Sequence, residues 1–323
     1  MSLRLVMLGT GSFALSTFQG LYETSHQVVG LVTQPDRTGR GHHNHVNPMK
    51  ELAIEQGTPV FQPVRANEPE SLDRLREFNA DLFVTAAYGQ ILSADLLSIP
   101  RLCAINVHAS LLPKYRGAAP IQFAIINGET ETGITIFRIE PKLDAGPVLG
   151  VVKTSIGEKE TYGELQDRLT ELAVPLTCRV IDDLAAGTAQ ETIQDASLVT
   201  RAPRLKKTDG AIPWQRSSRL VGCHIRGVQP WPKPSTVLHV GEAAFRMLIL
   251  DVETSDHAVS GEPGTVEVVD RKRLFVKTGD GSVELISVQP EGKRPMSSAE
   301  FLNGNAVSTG DRFELPENSD LIV

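Results

Sequence analysis

The sequence predicts an α/β domain built on a mostly parallel sheet, followed by a small all-β barrel-like domain. Two patterns carry that expectation. Strand-like and helix-like segments alternate through roughly the first 187 residues, as they do when helices cover both faces of a parallel sheet. Past about residue 235 the chain turns into short β-rich pieces separated by glycine and aspartate turns, with no helices between them. At 323 residues the chain is long enough for two domains. The expected boundaries are an N-terminal domain at 1–189, a linker at 190–208 and a C-terminal domain at 209–323.

In chain order, LRLVMLG (3–9) reads as a buried strand, TGSFA as a loop and LSTFQGLYE as a helix. VVGLVTQ (28–34) is a second strand, and the polar, glycine-broken PDRTGRGHHNHVNP (35–48) is a loop. LFVTAAY (82–88) and AINVHA (104–109) are further strands, and AAPIQFAIING (118–128) is a short helix closed by glycine. GITIFRIE (133–140) and VLGVVKTSI (148–156) are β-branched strands. Residues 161–187 form a long amphipathic helix, kinked at Pro175. TVLHV, FRMLILDV, GTVEVV, RLFVKTG and SVELISV supply the barrel, and SSAEFLNG a late helix.

Hydrophobic residues make up 41% and charged residues 22%, an ordinary composition for a protein with a full core. Cys103, Cys178 and Cys223 are scattered, so neither a disulfide framework nor a thiolate zinc site is indicated. The first apolar run is too short to span a membrane and lacks a signal-cleavage pattern, so a reducing cytoplasmic setting is expected. Nothing demands more than a monomer. The net charge of -7 is unevenly spread: residues 201–233 hold eight Lys or Arg and only one acid, Asp209. A solvated linker is one reading of this basic strip; a contact to a nucleic-acid backbone is the sharper one.

Gly9, Gly11 and Ala14 fit a G-x-G-x-x-A turn, with Asp36 after the second strand, as in dinucleotide-binding proteins. Any tight strand-to-helix turn favours glycine there, so a turn without a dinucleotide is the preferred reading. The stretch INVHASLLPKYRGAAPIQ (105–122) carries more chemistry. Residues i and i+2 of a strand share a face, so Asn106 and His108 project together where the chain leaves the sheet. Asp144, in KLDAG after the next strand, is a carboxylate able to orient and charge the imidazole. Ser110 sits in the following loop, so the trio lacks an obvious nucleophile. An amide, an imidazole and a carboxylate suit acyl transfer to an incoming amine, with the oxyanion held by Asn106 and His108.

That stretch closely resembles the signature of the folate-dependent formyltransferases, and among them the branch acting on methionyl initiator tRNA. The resemblance extends through VMLGTGSFA (6–14), TQPDRTGRG (33–41), AAYGQIL (86–92), ETGITI (131–136) and LDAG (143–146). It continues through LVTRAPRLKKTDGAIPW (198–214), IRGVQPWP (225–232) and TGDGSVELISVQPEGKRPM (278–296). It implies a Rossmann-like domain joined to an OB-like barrel that helps hold tRNA. It also implies transfer of the formyl group of 10-formyltetrahydrofolate to the amino group of methionyl initiator tRNA, with no metal. The implied catalytic residues are Asn106, His108 and Asp144. The implied folate pocket is Ser110, Leu111, Leu112 and Pro113 with Tyr88, Gly89, Gln90, Ile91 and Leu92. The implied tRNA contacts are Arg40, Lys206 and Lys207.

The sequence departs from the family pattern in three places. TQPDRTGRG is one residue short, and His42, His43, Asn44 and His45 follow where basic residues are usual. That cluster is read as an altered, pH-dependent grip on tRNA in preference to a metal site. Ile212-Pro213-Trp214 lacks the family's aspartate, and Glu140-Pro141-Lys142-Leu143 replaces the usual acid-glycine lead into Asp144. Rival readings are a formyltransferase for a sugar-nucleotide amine, a nicotinamide oxidoreductase resting on GTGSFA, and a catalytically inert RNA-binding module.

Overall fold

The computed structural model describes residues 1–36 and 47–316. Two compact units interleave along the chain. The first comprises Met1–Pro120, Glu131–Thr154 and Gln166–Arg201; the second comprises Ile121–Thr130, Ser155–Leu165 and the chain from Ala202 onward.

The first unit is a seven-stranded sheet with helices. Its strands are β1 (Arg4–Gly9), β2 (Gln27–Val32), β3 (Val60–Phe61), β4 (Leu82–Ala86), β5 (Cys103–His108), β6 (Glu131–Arg138) and β7 (Val148–Ser155), in the order β3-β2-β1-β4-β5-β6-β7. β1 to β5 are parallel to one another, and β6 runs antiparallel to β5. Burial explains the composition. Every residue of β4 is buried, as expected for a central strand covered on both faces, while β7 at the edge is largely half-buried or exposed. The sheet is therefore mostly parallel, with an antiparallel extension. The helices of this unit are α1 (Ser12–Tyr22), α2 (Pro48–Glu55), α3 (Pro69–Glu77) and α4 (Ala94–Leu97); α5 (Pro120–Ile126) belongs to the second unit apart from Pro120, and α6 (Tyr162–Ala186) belongs to the first from Gln166 onward. Three of these, α2 to α4, are absent from the sequence expectation, although Asn47-Pro48 and Ser93 carry ordinary helix-start chemistry. The Asn47 and Ser93 side chains accept hydrogen bonds from the Lys50 and Leu96 amides. Pro175 lies inside α6 without ending it.

In the second unit, β8 (Ser235–Val240), β9 (Ala243–Ser255), β10 (Val266–Val269), β11 (Arg273–Lys277), β12 (Ser282–Pro290), β13 (Met296–Ser297) and β14 (Arg312–Phe313) form one sheet in the order β10-β11-β12-β9-β8-β14. β13 pairs with β12. The two ends of this path meet: the Phe313 amide donates to the Gly264 carbonyl and the Val266 amide to the Asp311 carbonyl, each at 2.8 Å. The sheet thus closes on itself and leaves little open edge. Trp214, Leu238, Ile249, Val276, Leu285 and Phe301 fill its interior. Trp214 is fully buried and stacks on Phe313 at 5.2 Å, so Ile212-Pro213-Trp214 is part of this core. A helix absent from the sequence expectation, α7 (Ser218–Gly227), follows the Ser217 cap. The late helix, α8 (Ser298–Gly304), starts with a Ser297–Glu300 capping box.

α7 buries His224 completely. Its two ring nitrogens lie toward the backbone of Gly210 and Ala211 but reach no hydrogen-bond geometry among the described residues. Burial, reinforced by the nearby Arg216 charge, pushes its pKa down to about 3. The unfolded chain therefore takes up a proton near pH 6.5 that the folded chain refuses. His224 stabilises the fold above that pH, and its contribution is lost as pH falls toward 3, by at most about 1.4 kcal/mol per pH unit. His224→Leu is expected to flatten the fall in urea midpoint between pH 6.5 and 4; an unchanged slope would assign the acid sensitivity elsewhere.

Candidate active site

β5 ends in the pair that alternation predicts. Asn106 is half-buried and His108 is buried, and both lie at the carboxyl end of a central strand. Thr135 and Phe137 of β6 sit opposite them, and the Phe137 ring meets the imidazole edge-on at 6.2 Å. The Asn106 amide has no hydrogen-bond partner among the described residues. The His108 Nε2 is 3.0 Å from the Tyr115 carbonyl oxygen, which can only accept, so the proton of the neutral ring sits on Nε2. That leaves Nδ1 as a bare acceptor, 4.0 Å from Asp144 Oδ2. Burial holds the His108 pKa below its ordinary value of 6.5, although the Asp144 charge and the Tyr115 carbonyl pull the other way; Arg116 adds to the depression.

Asp144 arrives by a route that differs from the sequence reasoning. Because β6 is antiparallel to β5, the loop after β6 leaves the sheet at the end away from His108. The loop must fold back to bring the carboxylate to the imidazole. Asp144 takes a left-handed backbone (φ 47°), uncommon for a residue other than glycine. The Gly117 amide donates to Asp144 Oδ2 at 2.7 Å, from a backbone with φ 130° that suits glycine. Gly146 allows the return: a Cβ there would sit 1.8 Å from the Arg138 carbonyl oxygen. Glu140 to Leu143, at the tip, are exposed.

The loop after β5 is pinned by one hydroxyl. Thr135 Oγ1 donates to the Ser110 carbonyl at 2.7 Å and accepts from the Leu112 amide at 3.1 Å. Ser110 is fully buried and donates to the Lys114 carbonyl; Leu111, Leu112 and Pro113 are half-buried. Tyr88 is buried, its hydroxyl unpartnered among the described residues and pushed up to about 12 by burial. Leu92 joins the same core cluster, while Gly89 and Ile91 are exposed. Gln90 is committed to the chain itself, accepting from the Ala66 amide.

Residues beyond the sequence-named set also meet here. Gln194 Nε2 donates to the Asp144 carbonyl at 2.9 Å and to the Gly146 carbonyl at 2.8 Å. Its Oε1 accepts from Arg116 Nε and Nη2 at 3.2 and 2.8 Å. Thr200 accepts the Tyr115 amide on Oγ1 and the Arg116 amide on its carbonyl. Both lie in the stretch read as linker, where no periodicity or motif marks them.

Elsewhere, Asp36 binds Lys50 and Gln62, and the Lys50 hydrogen bond is the larger cause of its lowered pKa. Its carboxylate is therefore engaged by two side chains of the same unit. In the basic strip, Arg216, Arg219 and Arg226 donate to the backbone carbonyls of Ile126, Gly128 and Glu160, whereas Arg201, Arg204, Lys206 and Lys207 are exposed. Arg40, His42, His43 and His45 lie outside the described residues. Among those described, no three His, Cys, Asp or Glu side chains gather to hold a metal, and no helix is long and apolar enough to cross a membrane.

Comparison with known proteins identifies the family. Residues 3–181 match the formyl transferase family and residues 204–306 the formyl transferase C-terminal domain. The chain is 41% identical over 307 residues to the methionyl-tRNA formyltransferase of Methylococcus capsulatus, covering 95% of this chain and 98% of that protein. It is 37% identical over 314 residues to the one from Agathobacter rectalis, covering 97% and 100%. Among solved structures, an N-formyltransferase from Helicobacter canadensis in complex with folinic acid and dTDP-3-aminofucose matches with a TM-score of 0.67 at 15% identity, over 90% of this chain and all of that one. HypX from Aquifex aeolicus in complex with tetrahydrofolic acid matches with a TM-score of 0.60 at 15% identity, over 94% of this chain and 47% of that one. At such identities these two show the fold alone. With both domains matched and full-length relatives near 40% identity, the chain belongs to the methionyl-tRNA formyltransferases, within the formyl transferase family.

Proposed function

We propose that the chain transfers the formyl group of 10-formyltetrahydrofolate to the free amino group of methionyl initiator tRNA, using Asn106, His108 and Asp144. The observation that carries this reading is the imidazole with Nε2 committed to a carbonyl and Nδ1 facing a carboxylate, beside an amide with no partner among the described residues. The amine lone pair attacks the formyl carbon, and the carbonyl π electrons move to oxygen. Asn106 Nδ2 donates to that oxyanion. The proton leaving the amine goes to His108 Nδ1, where the Asp144 charge stabilises the imidazolium and the new N–H also faces the oxyanion. Collapse re-forms the carbonyl and breaks the bond to N10 of the folate, which takes the proton back from His108. The depressed His108 pKa keeps the ring neutral, and so able to accept, around pH 7.

The folate is proposed to lie along Ser110 to Pro113 and Tyr88 to Leu92. The tRNA backbone is proposed to meet Arg40 and the exposed Lys206 and Lys207. The enzyme is proposed to act in the cytoplasm as a monomer.

The direct test is transfer from 10-formyltetrahydrofolate to Met-charged initiator tRNA, with charged elongator tRNA and a UDP-amino sugar as controls. Transfer to the initiator alone is expected; transfer to the sugar alone would overturn the acceptor. Asn106→Ala is expected to lower kcat roughly 10²–10³-fold. His108→Ala and Asp144→Ala should each cost roughly 10²–10⁴-fold, with the KM for tRNA unchanged. Near-normal turnover in either would remove that residue from the chemistry. Lys206→Ala combined with Lys207→Ala should weaken tRNA use alone. It should also reduce the slope of log K against log salt by roughly 1 for each phosphate no longer neutralised.

A further inference from the structure

The catalytic pair is assembled by chain that contributes no group to the chemistry. After α6 the backbone returns along the first unit and touches it at successive points. Thr192 exchanges two backbone hydrogen bonds with Val148 at the start of β7, at 2.8 and 2.9 Å. Gln194 bridges the Asp144 loop to Arg116. Thr200 takes the amides of Tyr115 and Arg116, the first at 2.8 Å. The Tyr115 carbonyl is the group that fixes the His108 proton. One short segment therefore holds the partner of each imidazole nitrogen.

We propose that residues 191–200 form a positioning strap for the His108–Asp144 pair, and that Gln194 is the residue that sets Asp144. The geometry requires such a restraint. The Asp144 loop has to fold back over the sheet, and Asp144 carries a left-handed backbone, a strained conformation for a residue other than glycine that persists only where its surroundings hold it. The Gln194 amide group spans the Asp144 and Gly146 carbonyls with both donors, which fixes the backbone on each side of the bend. Its oxygen is held by two N–H groups of Arg116, a residue only 7% exposed, so the amide cannot rotate without losing four bonds. The Gly117 amide, next in the chain to Arg116, holds the carboxylate itself. A 4.0 Å separation between His108 Nδ1 and Asp144 Oδ2 is maintained from both sides of the bend. The inference rests on the formyl-transfer reading only for its kinetic consequence; the structural consequence can be read without turnover.

The test is the titration of the His108 imidazole by ¹⁵N NMR in histidine-labelled full-length protein, with kcat and KM measured in parallel. The charged groups acting on His108 are Asp144, which favours its protonation, and Arg116, which opposes it. Gln194→Ala should lower the His108 pKa, in the direction that Asp144→Asn lowers it. It should also cost roughly 10²-fold in kcat, the scale of a misplaced catalytic group, with both KM values unchanged. In the Asp144→Asn background the same change should cost nothing further, because its effect runs through Asp144. Gln194→Met, of similar length and without donors, repeats the test should the alanine variant unfold. An unmoved His108 titration in both variants, or full additivity with Asp144→Asn, would overturn the proposal. If wild-type protein transfers no formyl group but the titration shifts as stated, the strap stands and the acceptor assignment fails.

Discussion

The site depends on where one proton sits. A backbone carbonyl cannot donate, so the Tyr115 oxygen, 3.0 Å from His108 Nε2, dictates the tautomer of the buried ring. Everything around it serves that bond or its opposite number at Nδ1. β5 brings the ring to the carboxyl end of a central strand, and Thr135 holds the loop that carries Tyr115 back to it. The folded-back loop of β6 supplies the carboxylate. The Nδ1 of an imidazole committed in this way is an acceptor at neutral pH and becomes a donor only after it has taken a proton. In the proposed transfer, His108 first relieves the attacking amine of its proton and then returns one to the leaving nitrogen, and that order of roles fits such a ring.

Two influences on the imidazole oppose each other. Burial disfavours the imidazolium, while Asp144 favours it. A ring left in the apolar interior alone would resist the amine proton. A ring fully paired with a carboxylate at short range would already be charged before substrate arrived. The 4.0 Å gap lies between those limits.

Short-range pattern makes much of this legible. The i, i+2 placement of Asn106 and His108 follows from strand geometry, and the parallel strands and the closed barrel follow from periodicity and turn residues. What pattern does not carry is set by long-range interactions. The antiparallel turn of β6 leaves no mark in GITIFRIE, so sequence reasoning pairs Asp144 with His108 for an incomplete reason. Gln194 and Thr200 read as linker because hydrogen bonds from single polar side chains to distant carbonyls have no sequence period. Helix α7 is obscured by the arginines in and beside it, three of which turn to backbone carbonyls of the same unit instead of to solvent. The basic strip is accordingly only in part a free cationic surface. Lys206 and Lys207 carry more of the case for a polyanion than its total charge suggests.

The decisive quantity is the protonation state of His108 before substrate binds. The ¹⁵N chemical shifts of the wild-type ring as a function of pH measure it most directly. A protonated Nε2 and an unprotonated Nδ1 are expected at pH 7, with conversion to imidazolium below the ordinary value of 6.5. A proton on Nδ1 of the neutral ring, or an imidazolium persisting well above pH 6.5, would contradict the tautomer and the mechanism built on it.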